Sequence, residues 1–323
     1  MANHPNMVSR TTGYKIIPAL IIGICIIVTP FFFVKEKRSD LLYIATASDL
    51  DFAVVDGIVK VNKNSKYTTN ETIKAVIVPH HLVATEAIAA GIKSLATKKR
   101  RIVLVISPDH FGGCPKLICT TNGVYKTFFG DISIDSKIVK QLIGHKNIVD
   151  VSNLFINEHG IYSIVPYIKH YLPEATIVPI VISQKGRGTY ESRKDMLAML
   201  DTLVTRNDVL LVVSSDFSHY LPIEEADIYD KETQASFCSG NSNEILTLKN
   251  PSQSDCPLCL WVLQEEAKKN NFWKPQIIWH SNSANLLHDV SVKETTSHFT
   301  FTFNTRSSSL NQNNMQTNCY TDI

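Results

Sequence analysis

The chain carries almost no excess charge: 32 Lys and Arg stand against 30 Asp and Glu, a formal net charge of +2. No basic stripe with interleaved aromatic residues runs through it, which argues against nucleic acid as a partner. The one dense basic run, Lys98-Lys99-Arg100-Arg101, directly precedes an apolar run and reads as a solvated turn into a strand. Cysteine is scarce and odd in number, seven in 323 residues. That excludes a small disulfide-stapled domain, and most of the seven are expected as free thiols, several of them buried. No internal repeat is present, so the chain is one large domain or two medium ones.

Long apolar runs are few, and the first stands near the start. Residues 16–34 hold no charged side chain and are just long enough to cross a bilayer as a helix. Arg10 and Lys15 flank the run before; Lys35, Lys37 and Arg38 flank it after. A cleavable signal peptide has a shorter apolar core with a small-residue cleavage site close behind, and Ala45-Thr46-Ala47 lies too far on. The expectation is therefore a single-pass membrane protein: a flank over 1–15, a transmembrane anchor over 16–34 and a stalk with its leading segment over 35–71. The flanking charges nearly balance, so they do not fix the side of the soluble part.

From residue 72 to 303, short apolar runs alternate with helical patterns. Helices are expected over Glu86–Ala96, Asp135–Ile143, His159–His170, Tyr190–Val204, Ile223–Phe237 and Pro257–Lys268. Strands are expected over Thr176–Ile182, Pro275–Trp279 and Phe299–Phe303. This alternation predicts one three-layer α/β domain, a largely parallel central sheet flanked by helices. Residues 304–323 are rich in Asn, Ser, Gln and Thr and read as a disordered tail.

Three further apolar runs end in histidine-bearing turns. Ala75–Val78 leads into Pro79-His80-His81, Ile102–Ile106 into Ser107-Pro108-Asp109-His110, and Val209–Val213 into Ser214-Ser215-Asp216-Phe217-Ser218-His219. Such runs read as buried parallel strands. Ligands in open α/β sheets sit beyond the carboxyl ends of the strands, so neighbouring strands would bring these turns together. Glu158-His159 opens one helix, and Cys256 stands just ahead of another. A helix start stabilises an anionic thiol, which makes Cys256 a candidate ligand or nucleophile. Cys256-Pro257-Leu258-Cys259 also invites a thioredoxin-type redox reading, but no strand precedes it. Outside these turns, His145, His170, His280, His288 and His298 read as surface or satisfied core residues.

These motifs, in this order, resemble the Memo-like proteins, called AmmeMemoRadiSam system protein B in prokaryotes. Pro79-His80, Ser107–His110, Gly130–Asp135, Glu158-His159 with Val165-Pro166-Tyr167, and Ser214–His219 carry the resemblance. His280-Ser281-Asn282-Ser283-Ala284 is similar to the family's late strand and serine turn. The likeness covers roughly Lys74 to Phe303. It implies a fold similar to class III extradiol dioxygenases, whose non-haem iron is held by two histidines and a glutamate. In Memo-like proteins a cysteine replaces that glutamate. Carried over, the resemblance implies His80, His110 and Cys256 as metal ligands. His159 and His219 would line the cleft, with Asp216 and Glu158 orienting them.

Two imidazoles and a thiolate suit a transition metal, copper or iron by preference and zinc as an alternative. Three protein ligands leave positions open, as catalytic sites do. The expected function is metal-dependent redox or oxygenase-type chemistry on a small-molecule substrate. The alternatives are a non-catalytic module binding a peptide or small anion in the same cleft, and a zinc-dependent hydrolase. The prokaryotic family name also implies a radical SAM protein and an Amme-domain companion as partners. The chain departs from the family pattern at His81-Leu82, where a small residue and a Gly-Tyr turn are frequent. It departs again at Gly160, where serine is usual, at Tyr162, in place of a second glutamate, and at Ile164, in place of a polar residue.

Overall fold

A computed structural model describes residues 43–45, 48–96, 101–185, 188–270, 275–289 and 291–305. The elements follow one another as β1 (Tyr43–Ala45), α1 (Ser48–Lys63), β2 (Ile73–Val78), α2 (Thr85–Ser94), β3 (Ile102–Pro108), β4 (Ile118–Thr120), β5 (Val124–Thr127) and β6 (Gly130–Ser133). Next come α3 (Ser136–Ile143), β7 (Ile148–Asp150), α4 (Ser152–Asn157), α5 (His159–Tyr162), α6 (Val165–Tyr171), β8 (Thr176–Ile182), α7 (Tyr190–Val204) and β9 (Val209–Ser214). The chain ends with α8 (Ile223–Ser239), α9 (Ser242–Thr247), α10 (Pro257–Lys269), β10 (Gln276–Asn282), α11 (Ser283–Leu286) and β11 (Ser297–Asn304).

The main sheet has eight strands in the order β10-β11-β2-β9-β3-β8-β4-β7. Its central four, β2-β9-β3-β8, run parallel. Antiparallel strands complete it: β11 beside β2, β10 beside β11 and β4 beside β8. Every residue of β2, β3 and β9 is buried. Burial on both faces is why these strands read as unbroken apolar runs rather than as alternating ones. Helices α1, α2 and α6 pack together, with α2 on β2 and β11; α10 packs on α7, α9, β3 and β9. A separate three-stranded sheet joins β1, β5 and β6.

Local sequence explains most element ends. Asp135 caps α3 by accepting from Ile138 N at 3.0 Å. Thr189 caps α7 through Ser192 N at 3.2 Å. The single helix expected over 159–170 is instead two, α5 and α6. Pro166 lies in the first turn of the second, where its missing N–H breaks no bond.

Three expectations are corrected here. No helix among the described residues is long and apolar enough to cross a membrane. The longest, α8, has 17 residues and carries Glu224, Glu225, Asp227 and Asp230, whereas a span needs roughly 20 mostly apolar ones. The single-pass membrane localisation and the transmembrane part of the fold are withdrawn on that finding; residues 16–34, on which they rested, lie outside the described residues. Residues 48–63, assigned to the stalk, form α1, whose Leu50, Val54, Ile58 and Val61 belong to the hydrophobic core. The cysteines are mostly paired, not free: disulfides join Cys114 to Cys119 and Cys256 to Cys259. The expected tail falls almost wholly outside the described residues.

Candidate metal centre

Strands β2, β9 and β3 are immediate neighbours, so their carboxyl-end turns meet. The β2 turn delivers His80, which is buried. Its backbone N donates to Asp216 Oδ1 at 3.3 Å, and its Nδ1 pairs with Ser214 Oγ at 2.9 Å. Both partners come from the β9 end. The β3 turn delivers His110. Asp109, ahead of it, is a turn former: its carboxylate accepts from Gly113 N at 3.0 Å and Cys114 N at 2.9 Å.

Glu158 is wholly buried and fixes His110 twice. Its Oε2 accepts from His110 N at 3.2 Å, and its Oε1 lies 2.5 Å from His110 Nδ1. The same Oε1 accepts from Gly160 N at 3.0 Å, which caps α5. Residue 160 has no room for a side chain: a Cβ there would stand 2.0 Å from Ser107 Oγ on β3. The glycine thus lets Glu158 and His159 tuck against the strand that carries His110. The rings of His110 and His159 lie 3.9 Å apart between centroids, and those of His80 and His159 5.1 Å. One nitrogen from each of His80, His110 and His159 lies within 4.8 Å of the other two.

The carboxylate facing these imidazoles belongs to Asp255. Its Oδ2 stands 3.1 Å from His80 Nε2 and 3.6 Å from His110 Nε2. Its Oδ1 accepts from Ser215 Oγ at 2.7 Å. An antiparallel bridge between Phe217 and Ser254 holds this segment against the β9 turn. Asp216 adds a second carboxylate, with Oδ2 3.4 Å from His80 Nε2.

Cys256, expected as the third ligand, is placed differently. It caps α10, its Sγ accepting from Cys259 N at 3.2 Å and from Gln184 Nε2 at 3.1 Å. That sulfur is bonded to Cys259 and is wholly buried. It is not among the atoms that converge on the histidines.

His219 lies at the rim, its Nδ1 bonded to Phe217 O. It lines a cleft of about 760 Å³ with His80, His81, His110, Phe111, His159, Tyr162, Asp216 and Tyr220. His298 is expected from the sequence as a surface or satisfied core residue. It is buried in β11, with Nδ1 3.0 Å from Asp216 Oδ1.

Electrostatics in the cleft are dominated by burial and by close pairing. Burial works against a charge on His80, but Asp216 and Asp255 outweigh it and raise its pKa. His110 behaves alike: against burial, its bonds to Asp255 and Glu158 push it up to about 10. His159 goes the other way, to about 3, because burial and the neighbouring positive His80 and His110 disfavour a further charge. Burial resists ionisation of Asp216 and Asp255, yet His80 outweighs it, and both carboxyls are held well below the usual range. A transition-metal ion fits this donor set. The imidazoles of His80 and His110 both have Nδ1 engaged and Nε2 turned inward, the arrangement metal-bound histidines adopt. The protons that balance the buried carboxylates occupy the place of a cation's charge.

An α/β protein with histidines and carboxylates gathered at the carboxyl edge of its sheet defines a metal-site class rather than a particular protein. The particular family follows from comparison: residues 43–294 match the family described as Memo-like protein, and the chain belongs to it. It is 32% identical to a MEMO1 family protein of Caldivirga maquilingensis over 170 residues, 51% of this chain and 57% of that one. It is 25% identical to a MEMO1 family protein of Aquifex aeolicus over 225 residues, 68% of this chain and 82% of that one. The match thus spans little more than half of the first relative. A solved structure, uncharacterized protein JW3007 from Escherichia coli K12, aligns at a TM-score of 0.47 and 14% identity, over 71% of this chain and 99% of that one.

Proposed function

We propose that this Memo-like protein is a metal-dependent oxidoreductase of oxygenase type acting on a small molecule. In this reading His80, His110 and Asp255 hold one iron ion. The observation that carries it is the position of Asp255 Oδ2, 3.1 Å from one inward-facing Nε2 and 3.6 Å from the other. At these separations one ion could be held among the three atoms. Two histidines and one carboxylate with open positions favour iron(II), whereas a thiolate set would favour copper. Iron in such a set supplies redox chemistry toward dioxygen.

The chain's own residues prepare the rest. Glu158 and Ser214 lock the two ligand rings. His159 is held neutral, so its ring can accept a hydrogen bond from a substrate hydroxyl in the cleft. His219, tied through Nδ1, presents Nε2 as a proton acceptor at the rim. Exposed Phe111 and Tyr220 give the mouth apolar walls that suit a small apolar or aromatic substrate. Three buried carboxylates, Glu158, Asp216 and Asp255, disfavour a small anion as occupant. A radical SAM protein and an Amme-domain companion are proposed as partners from the family resemblance alone.

The test is metal content after purification without oxygen and loading with iron(II). His80→Ala and Asp255→Asn are expected to lose the ion, and Cys256→Ser to keep it. Retention in Asp255→Asn together with loss in Cys256→Ser would return the third ligand to sulfur. Equal iron in all variants would end the reading.

A further inference from the structure

His80 and His81 are consecutive, and the backbone at His81 is extended (φ −77°, ψ 124°). Successive side chains of an extended segment point to opposite sides. The doublet therefore divides around Asp216. One oxygen of that carboxylate, Oδ2, faces His80 Nε2 at 3.4 Å. The other, Oδ1, faces His298 Nδ1 at 3.0 Å. His81 stands on the His298 side, with ring centroids 5.4 Å apart. One ligand atom from each of His81, Asp216 and His298 lies within 4.8 Å of the other two.

A second observation concerns His298 alone. Its ring is wholly buried in β11, and its Nε2 has no hydrogen-bond partner among the described residues. A buried polar atom left unpaired is costly, which gives it a reason to serve a ligand. A satisfied core histidine has both ring nitrogens bonded; here Nδ1 meets Asp216 and Nε2 meets nothing among the described residues. His81 itself is exposed and lines the cleft, which gives a cation a path inward. It is also one of the positions at which this chain departs from the usual small residue of the family.

We propose that His81, Asp216 and His298 form a second site, for a divalent transition-metal cation, and that Asp216 bridges it to the site of His80, His110 and Asp255. Two imidazoles and a carboxylate oxygen suit zinc, iron or manganese better than calcium. A bridging carboxylate places two ions roughly 3.5–4 Å apart, the spacing of two-metal centres. The cleft then holds a dinuclear centre, able to bind a substrate through two oxygen atoms at once.

Cobalt(II) serves as the probe, because its spectrum reports ligands and its spin reports a neighbouring ion. The metal-stripped full chain is dialysed against cobalt(II) without oxygen, and bound metal is measured per chain. Two ions are expected in the parent protein, with magnetic coupling between them. One is expected, uncoupled, in His81→Gln and in His298→Gln, and one in His80→Ala. If His298→Gln fails to fold, His81→Gln at its exposed position decides the matter. One ion in the parent, lost in His80→Ala and kept in His81→Gln, would overturn this inference and leave the first site standing. Two ions unaffected by either histidine variant would overturn it as well. No ion at all in the parent would overturn both readings.

Discussion

Asp255 and Cys256 are neighbours that do different work because one precedes a helix and the other caps it. The cap turns the Cys256 sulfur along α10 toward Cys259 N, while the bridge at Ser254 holds Asp255 against the histidines. The sequence favoured the thiol because a cysteine at a helix start is chemically conspicuous, whereas an aspartate there reads as a cap. His80, His110, Glu158, His159 and Asp216 were legible because each follows an apolar run or opens a helix. His298 was not: it sits inside a strand whose eight residues are nearly all buried, with no turn to mark it. The ligand set carries a proton count. In the metal-free protein at pH 6, His80, raised above its ordinary 6.5, and His110, at about 10, both hold a second proton. An ion on their Nε2 atoms displaces about two protons at that pH, so affinity rises as pH rises. Calorimetry in buffers of different ionisation enthalpy counts them. Metal binding with no proton release would place the ion elsewhere.

At the scale of elements, the adjacency of β2, β9 and β3 is what converts three separate motifs into one site. Their apolar runs announced the strands, and Thr176–Ile182 and Tyr190–Val204 form the elements expected of them. The three- and four-residue strands β4 to β7 are too short to leave a period in the sequence. Helix α1 did leave one, with Leu50, Val54, Ile58 and Val61 at helical spacing, but its place beside a supposed anchor made it look like a stalk. The contact of α5 with β3 is the element-level feature most open to test. Gly160→Ala puts a methyl into Ser107 and within 3.2 Å of Glu158 Oε1, the atom that fixes His110. Overpacking of this kind costs about 1–3 kcal/mol. Urea denaturation is expected to show a loss of that order, along with weaker metal binding. Adding Ser107→Ala should restore part of the stability, because the closest clash is with the serine hydroxyl. Additive losses in the double variant would mean that the two residues do not meet.

Across the whole molecule, the buried charges set how stability follows pH. Asp216 and Asp255 have lowered folded pKa values, so their contribution is present above their ordinary 3.8 and disappears in acid. His80 and His110 have raised values, so theirs is complete below 6.5; that of His110 is gone once pH passes about 10. Glu266 on α10 adds to the alkaline loss. Burial and the nearby Asp201 push it up to about 7, so the folded chain holds a proton there that the unfolded chain releases near 4.5. Its ionised form costs on the order of 3 kcal/mol above pH 7. The metal-free protein is therefore expected to be most stable near roughly pH 4 to 4.5, to lose the Glu266 contribution by about pH 7 and to weaken further toward pH 10. Glu266→Gln should remove the part of the decline between pH 4.5 and 7 and leave the rest. Bound metal should flatten the remainder, because an ion on the two imidazoles does the work of their protons without titrating away. Urea midpoints at pH 5, 7 and 9, with chelator and with iron(II), separate the two contributions. A metal-free chain as stable at pH 9 as at pH 5 would mean that the cleft histidines are not paired with these carboxylates in solution.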